Sequence, residues 1–201
     1  VNYVEKEQSD IILIFDKTPF YAEAGGQVGD SGNIYTQEND LIGRIIDTKK
    51  MDNDIYLHYL TNNTTELKVN ETYILSVNTE RREKIRNNHS ATHLLHASLR
   101  NILGDHISQK GSLVNDEKLR FDFTFNDQLT TDQVNKIESL VNQTIRANIQ
   151  SSVKLMPTQK AIKSGAIALF GERYPENVRV ISFNNDGYNK SLSSVELCGG
   201  T

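Results

Sequence analysis

One long helical pattern, from Thr79 to Leu103, divides this sequence into two parts of different character. Its apolar residues recur at helical spacing, Thr79 is a suitable N-cap, and Gly104 follows as a stop signal. Before this helix, short apolar runs such as Ile11–Phe15 and Ile55–Leu60 are separated by turn-forming residues. Short strands bounded by turns are typical of a small β-barrel or a β-sandwich.

The residues after the long helix alternate between strand and helix patterns. Every second residue of Lys118–Phe125 is apolar, which predicts a half-buried strand. Thr130 and Gln133 form a capping box that predicts the start of a second helix. Val178–Phe183 and Ser194–Leu197 have the composition of further strands. We therefore predict an α+β fold class, with a β module in residues 1–77 and an α+β module in residues 78–201.

Composition restricts the classes of function. A single cysteine excludes an internal disulfide framework and suits a reducing, cytoplasmic compartment. The net charge of -4 argues against strong non-specific binding to nucleic acid, so any RNA contact must be local. No apolar run approaches the roughly 18 residues of a membrane span, and the polar N-terminus is not a signal peptide. Both ends of the sequence are expected to continue in a longer chain.

Two histidines four residues apart lie on the long helix. His89 and His93 project from one helix face, so both rings can reach one metal ion. For an isolated pair, two histidines on a partly buried face are the commoner alternative. His96 lies near the same face, where packing is expected more often than support of a metal site. Ser90 stands where the H-E-x-x-H metalloproteases have their glutamate, so that class is excluded.

The Cys198-Gly199-Gly200-Thr201 motif offers a third ligand. A thiolate binds zinc strongly and the two glycines allow a tight turn, although a lone cysteine is more often a small buried apolar residue. Together with His89 and His93, Cys198 makes three zinc-type ligands available. A tetrahedral site needs a fourth, which is either water or a residue just after Thr201.

Three further features each have a structural and a functional interpretation. The Gly-rich stretch at residues 24–30 lacks a phosphate-loop pattern, so it predicts tight turns or, alternatively, close approach to a ribose or phosphate. Gln109 is either a surface residue or an amide that faces a polar substrate. A basic cluster on the long helix is either a solvated face or a contact for an RNA end, and its members are Arg81, Arg82, Lys84 and Arg86.

Four motifs, taken together and in this order, resemble the editing region of bacterial-type alanyl-tRNA synthetases. They are TPFYAEAGGQVGD at residues 18–30, NHSATHLLH at residues 88–96, SQKGS at residues 108–112 and CGGT at residues 198–201. The likeness extends over nearly the whole chain. Free-standing alanyl-tRNA editing proteins and the editing domain of threonyl-tRNA synthetase share the H-x-x-x-H and Cys pattern.

This resemblance implies a small N-terminal β-barrel followed by an α+β editing domain, in which a long helix packs on an antiparallel sheet. It implies hydrolysis of Ser-tRNA(Ala) and Gly-tRNA(Ala) at a site with one Zn²⁺, bound by His89, His93 and Cys198. The family's fourth ligand is a histidine directly after Thr201, which this chain does not include. We therefore expect incomplete zinc occupancy in this chain.

The resemblance also implies roles for other residues. Thr92 and Gln109 line the amino-acid pocket, and the partner is the 3′ end of tRNA(Ala), with no membrane or stable protein partner expected. Possible tRNA contacts are Gly25, Gly26, Gln27, Arg81, Arg82 and Arg86. Three alternatives remain open: a non-catalytic, zinc-stabilised RNA-binding module, a metal hydrolase that acts on small acyl substrates, and a free-standing aminoacyl-tRNA deacylase. Because no ATP-binding signature is visible, aminoacylation is not expected from these residues alone.

Overall fold

The computed structural model describes residues 3–7, 10–51, 54–64, 66–168, 174–183 and 192–201. The chain divides into two compact units. The first comprises Val1–Arg86, Asn115–Glu117 and Gly200–Thr201, and the second comprises Asn87–Val114 and Lys118–Gly199. Within the described residues, no helix combines the length and apolar character needed to cross a membrane. The α+β class agrees with the prediction.

The first unit contains one six-stranded sheet in which all neighbouring strands are antiparallel. The strands are β1 (Tyr3–Glu7), β2 (Asp10–Ile14), β3 (Gly32–Tyr35), β4 (Leu41–Met51), β5 (Ile55–Thr61) and β6 (Ile74–Val77). Their spatial order is β1-β2-β5-β4-β3-β6. Among the described residues β1 and β6 are edges that do not pair with each other, so the predicted closed barrel is not confirmed.

Alternate residues of these strands form the core of the first unit. Leu13, Ile34, Ile45 and Leu60 are completely buried and pack together, and Phe20 closes the same cluster. This alternation is the period of two that a strand imposes, with one face toward the core. The short, turn-bounded strands predicted for the residues before position 78 are therefore present, as one antiparallel sheet.

Helix α1 extends from Thr79 to Leu103, as predicted. Its cap, however, is Asn78 and not Thr79, because the Asn78 Oδ1 atom accepts a hydrogen bond from the Arg81 backbone N–H at 3.0 Å. Gly104 ends the helix with a φ of 115°, a conformation that side chains with a Cβ rarely adopt.

The second unit combines the rest of α1 with two small antiparallel sheets. Strands β9 (Ser151–Pro157) and β11 (Ser194–Leu197) both pair with the central strand β10 (Asn177–Phe183). Leu94 and Ala97 of α1 pack with Ile181 and Phe183 of β10. The capping box at Thr130 is present as predicted. The elements are β7 (Gln109–Val114), β8 (Leu119–Phe123), α2 (Thr131–Arg146), β9 (Ser151–Pro157), α3 (Thr158–Lys163), β10 (Asn177–Phe183) and β11 (Ser194–Leu197).

Candidate metal centre

Helix α1 positions the first two candidate ligands. His89 and His93 lie one turn apart, and their rings stack with centroids 5.1 Å apart and an interplanar angle of 24°. His93 is buried, and its ring also contacts Phe183 of β10. The helix therefore presents both imidazoles side by side, as their spacing predicts.

Cys198 follows directly after β11, and two hydrogen bonds with Arg179 fix its backbone. Its N–H donates to the Arg179 carbonyl at 3.0 Å, and the Arg179 guanidinium donates to the Cys198 carbonyl at 3.2 Å. This pairing extends the β10–β11 ladder to the cysteine. The thiol is thereby held against α1, where Leu94 and Ala97 belong to the same apolar cluster as Cys198.

The three candidate ligand atoms converge. The Cys198 Sγ atom lies 3.2 Å from His89 Nε2 and 3.3 Å from His93 Nε2, and all three atoms lie within 4.8 Å of one another. Nitrogen and sulfur ligands of one tetrahedral zinc ion are expected about 3.5 Å apart. Electron-rich atoms at this separation need either a proton or a cation between them. The donor set therefore fits a zinc-type ion with three protein ligands.

A buried carboxylate stands behind His93. The Glu196 Oε2 atom lies 2.9 Å from His93 Nδ1, and because a carboxylate can only accept, Nδ1 carries the proton. In a neutral ring, Nε2 is then left with its lone pair on the side of Cys198. A carboxylate that accepts from the second nitrogen of a histidine ligand is a recurrent feature of zinc sites.

In the metal-free state these contacts shift three pKa values. Burial alone would raise the pKa of the Cys198 thiol, but hydrogen bonds from His89 and His93 outweigh it and lower that pKa to about 5. Burial likewise lowers the pKa of His93, yet Cys198 and Glu196 raise it to about 9. Glu196 has its pKa lowered to about 2, because bonds from His93 and His96 exceed the effect of burial. The cluster therefore favours the thiolate, which is the form that binds metal.

His96 has a more specific environment than its sequence position indicated. Packing was the expectation, and its ring does contact Phe121 at a centroid distance of 5.1 Å. Its Nδ1 atom, however, also lies 3.2 Å from Glu196 Oε1, which accepts a further bond from the Ser194 hydroxyl at 2.8 Å. Both oxygens of the carboxylate are thus occupied.

The two predicted pocket residues lie on different elements. Thr92 is 7% exposed, and its hydroxyl donates to the Asn88 carbonyl at 2.9 Å, which leaves the Thr92 oxygen as an acceptor. Gln109 is half-buried at the start of β7, and its amide nitrogen donates to the Ser112 hydroxyl at 3.2 Å. A register shift in the β7–β8 pairing occurs next to Gln109.

The two glycines of the Gly-rich motif form a tight turn. Gly25 and Gly26 have φ values of 58° and 83°, and Ala24 and Gln27 exchange two backbone hydrogen bonds across them. Positive φ at both central residues is the requirement of a type I′ turn. Gln27 is 1% exposed, and its amide bonds both the backbone N–H and the hydroxyl of Thr201.

Two arginines of the predicted contact set have their partners outside α1. Arg82 pairs with the buried Asp30 and donates to the Pro19 carbonyl at 2.7 Å. Arg81 bonds Asp116 at 3.1 Å and the Gly29 carbonyl at 2.8 Å. Arg86 is half-exposed and pairs with Glu83, three residues before it on α1. A solvated helix face therefore describes Arg86 better than it describes Arg81 or Arg82.

The sequence of this chain is similar to those of known aminoacyl-tRNA synthetases. A family model described as tRNA synthetases class II (A) matches residues 1–81. The chain is 46% identical to alanine–tRNA ligase of Wolbachia pipientis wMel over 196 residues, or 98% of its length. It is 42% identical to the Cupriavidus necator alanine–tRNA ligase over all 201 residues. By sequence, the chain is homologous to a segment of alanine–tRNA ligases. It spans 21% and 22% of the lengths of these two ligases, or about a fifth.

The family model and the full-length relatives match different parts of this chain. The family model ends at residue 81, so it covers the first-unit strands and only the beginning of α1. The metal cluster lies beyond that match, but within the segment aligned with the Cupriavidus necator ligase, which includes every residue of this chain.

Sequence reasoning missed Glu196. The signal was available, because Glu196 lies two residues before Cys198 at the end of a strand, and strand residues two apart share a face. An acidic residue on the buried face of an apolar strand requires a partner. That partner, His93, is 103 residues away in the sequence, so only the folded chain identifies it.

Proposed function

We propose that His89, His93 and Cys198 bind one Zn²⁺, and that this chain is the part of an alanine–tRNA ligase that hydrolyses mischarged tRNA(Ala). The observation that carries the proposal is the convergence of two imidazole nitrogens and one thiol in a segment homologous to these ligases. Imidazole and thiolate are the ligands that zinc favours. Three protein ligands leave one position of a tetrahedral ion for a substrate, a water molecule or a further residue.

The chemical need for such a site follows from the name of the relatives. An apolar pocket that accepts alanine discriminates only weakly against serine, which adds one hydroxyl. It also discriminates only weakly against glycine, which is smaller. A separate hydrolytic site that cleaves the wrong aminoacyl ester solves this problem. The proposed substrates are therefore Ser-tRNA(Ala) and Gly-tRNA(Ala), in the cytoplasm.

The side chains of this chain divide the work. Zn²⁺, when bound, would polarise the ester or activate a water molecule. His89, His93 and Cys198 hold it, and Glu196 accepts the Nδ1 proton of His93. In this proposal the Thr92 oxygen, which is an acceptor, receives the hydroxyl proton of a serine substrate, and the Gln109 amide orients the ester.

Contact with the tRNA 3′ end is assigned to surfaces that remain accessible. Arg86 is about half-exposed and on the helix that carries the histidines, so it is the best placed of the three arginines for a phosphate. Gly25 and Gly26 offer a backbone turn without side chains. Arg81 and Arg82 are proposed only as supports of the Gly-rich segment, since their guanidinium groups already bond to it.

A deacylation assay tests the function. Ser-tRNA(Ala), Gly-tRNA(Ala), Ala-tRNA(Ala) and a small serine ester are each incubated with the zinc-loaded chain and with a Cys198→Ala variant. We expect the first two to be hydrolysed, Ala-tRNA(Ala) to be spared, and Cys198→Ala to lose at least about tenfold in rate. Binding of tRNA without hydrolysis would favour the RNA-binding module. Equal cleavage of the small ester would favour a general acyl hydrolase.

A further inference from the structure

Glu196 is a buried carboxylate that bridges two histidines of α1. Its Oε2 atom lies 2.9 Å from His93 Nδ1, and its Oε1 atom lies 3.2 Å from His96 Nδ1. His93 and His96 are three residues apart, so both face the same strand. Only His93 also contacts Cys198, at 3.3 Å through Nε2. The carboxylate is therefore one hydrogen bond away from His93, a proposed metal ligand.

The contact decides which nitrogen of His93 is available. An imidazole has two nitrogens on opposite sides of the ring, and a neutral ring carries one proton. A carboxylate in bonding distance of Nδ1 places the proton there and leaves the Nε2 lone pair facing Cys198. Without the carboxylate, both tautomers and a wider range of ring orientations become accessible.

Hydrogen bonds to its side chain and pairing of its backbone both hold Glu196 in place. The Ser194 hydroxyl donates to Oε1 at 2.8 Å, from the same strand face. The backbone of Glu196 pairs with Ile181 of β10 and forms a bridge with Ile167. The side chain is 10% exposed. A charge held so rigidly in a buried position serves orientation better than a solvated carboxylate does.

We propose that Glu196 is a positioning residue of the metal centre, held by Ser194 and His96, which sets the tautomer and orientation of the ligand His93. This inference rests on the proposed zinc site. The competing explanation is a purely structural ion pair that joins α1 to β11. The two differ in one respect: only a positioning residue alters the metal's affinity and coordination in a protein that remains folded.

The experiment measures metal binding by the whole chain. Zn²⁺ affinity is determined by competition with a chromophoric chelator, and Co²⁺ replaces Zn²⁺ to report coordination through its absorption spectrum. The test variant is Glu196→Gln, which keeps the side-chain shape. The matched control is Asp30→Asn, which also removes a buried carboxylate but lies in the first unit, among the contacts of Arg82.

We expect Glu196→Gln to weaken Zn²⁺ binding by about 10- to 100-fold and to change the Co²⁺ spectrum. Asp30→Asn should lower stability without changing either measurement. Ser194→Ala removes one support, and we expect a smaller loss of affinity from it. That milder variant carries the test if Glu196→Gln does not fold, and normal affinity and an unchanged spectrum in Ser194→Ala would then count against the inference.

Three results would overturn the positioning role of Glu196, each in a different way. A folded Glu196→Gln protein with unchanged Zn²⁺ affinity and an unchanged Co²⁺ spectrum refutes the positioning role, while the zinc site stands. A wild-type chain that binds no Zn²⁺ refutes the proposed function and this inference together. A loss of metal-free stability in Glu196→Gln, with affinity intact, assigns Glu196 to the structural ion pair.

Discussion

The pH profile of Cys198 alkylation tests the geometry of the cluster without metal. Cys198 is the only cysteine, so every modification event reports this one thiol. Hydrogen bonds from His89 and His93 lower its pKa from 9.0 to about 5 in the metal-free state. The perturbation is the replacement of His89 or His93 by alanine after removal of metal by a chelator.

The magnitude shows which observable is informative. At pH 7 a thiol with a pKa near 9 is about 1% thiolate, whereas one with a pKa near 5 is about 99% thiolate. A fall of four pKa units, however, also lowers the nucleophilicity of the thiolate, by about 40- to 100-fold. The two effects nearly cancel in the rate at pH 7. The dependence of the rate on pH, and not its absolute value, therefore distinguishes the two states.

In the assay, the chelated chain reacts with iodoacetamide between pH 4 and pH 10, and the urea-unfolded chain is the control. We expect the rate in the folded chain to reach its plateau by about pH 6, because the pKa is about 5. In the variants the midpoint should move upward, since burial persists while one donor is lost. A folded wild-type rate that continues to rise between pH 7 and pH 9, as in urea, would refute the arrangement.

Three further predictions concern selectivity and stability. Thr92→Val should reduce Ser-tRNA(Ala) hydrolysis about tenfold more than Gly-tRNA(Ala) hydrolysis, because it removes an oxygen acceptor that only serine can use. Unchanged selectivity between the two substrates would exclude a role of Thr92 in discrimination. Asp30→Ala should lower the free energy of unfolding by about 2–4 kcal/mol in urea titrations. This loss is smaller than that for a fully buried ion pair, because the Arg82 side chain is 26% exposed. A loss below about 1 kcal/mol would contradict the prediction. Burial lowers the pKa of His58, so its contribution to stability is complete above about pH 6.5 and declines as the pH falls. Urea-unfolding midpoints of the wild type and of His58→Gln, measured between pH 5 and pH 8, test this pH dependence. If the midpoints of both proteins change with pH in the same way, His58 does not contribute to it.

Secondary structure was largely accessible from the sequence because its signals are local. Helical spacing and the stop signal at Gly104 located α1, although its cap is Asn78 and not the predicted Thr79, and the Thr130 capping box located the start of α2. The turn-bounded apolar runs located short strands in the first unit. Pairing between strands is not local, and the same short strands suit an open sheet and a closed barrel. The missing β1–β6 pairing was therefore not predictable from the pattern.

The sequence by itself determined the types of ligand in the candidate site. Helical spacing places His89 and His93 on one face, and Cys198 supplies a thiol. Only the tertiary structure decided that these atoms meet, that Glu196 stands behind His93, and that Arg82 is bound by Asp30. The physical reason is distance along the chain: Cys198 is 105 and 109 residues from its two partners, and no local preference encodes such a contact. It forms because the apolar faces of α1 and the β10–β11 ladder are buried together.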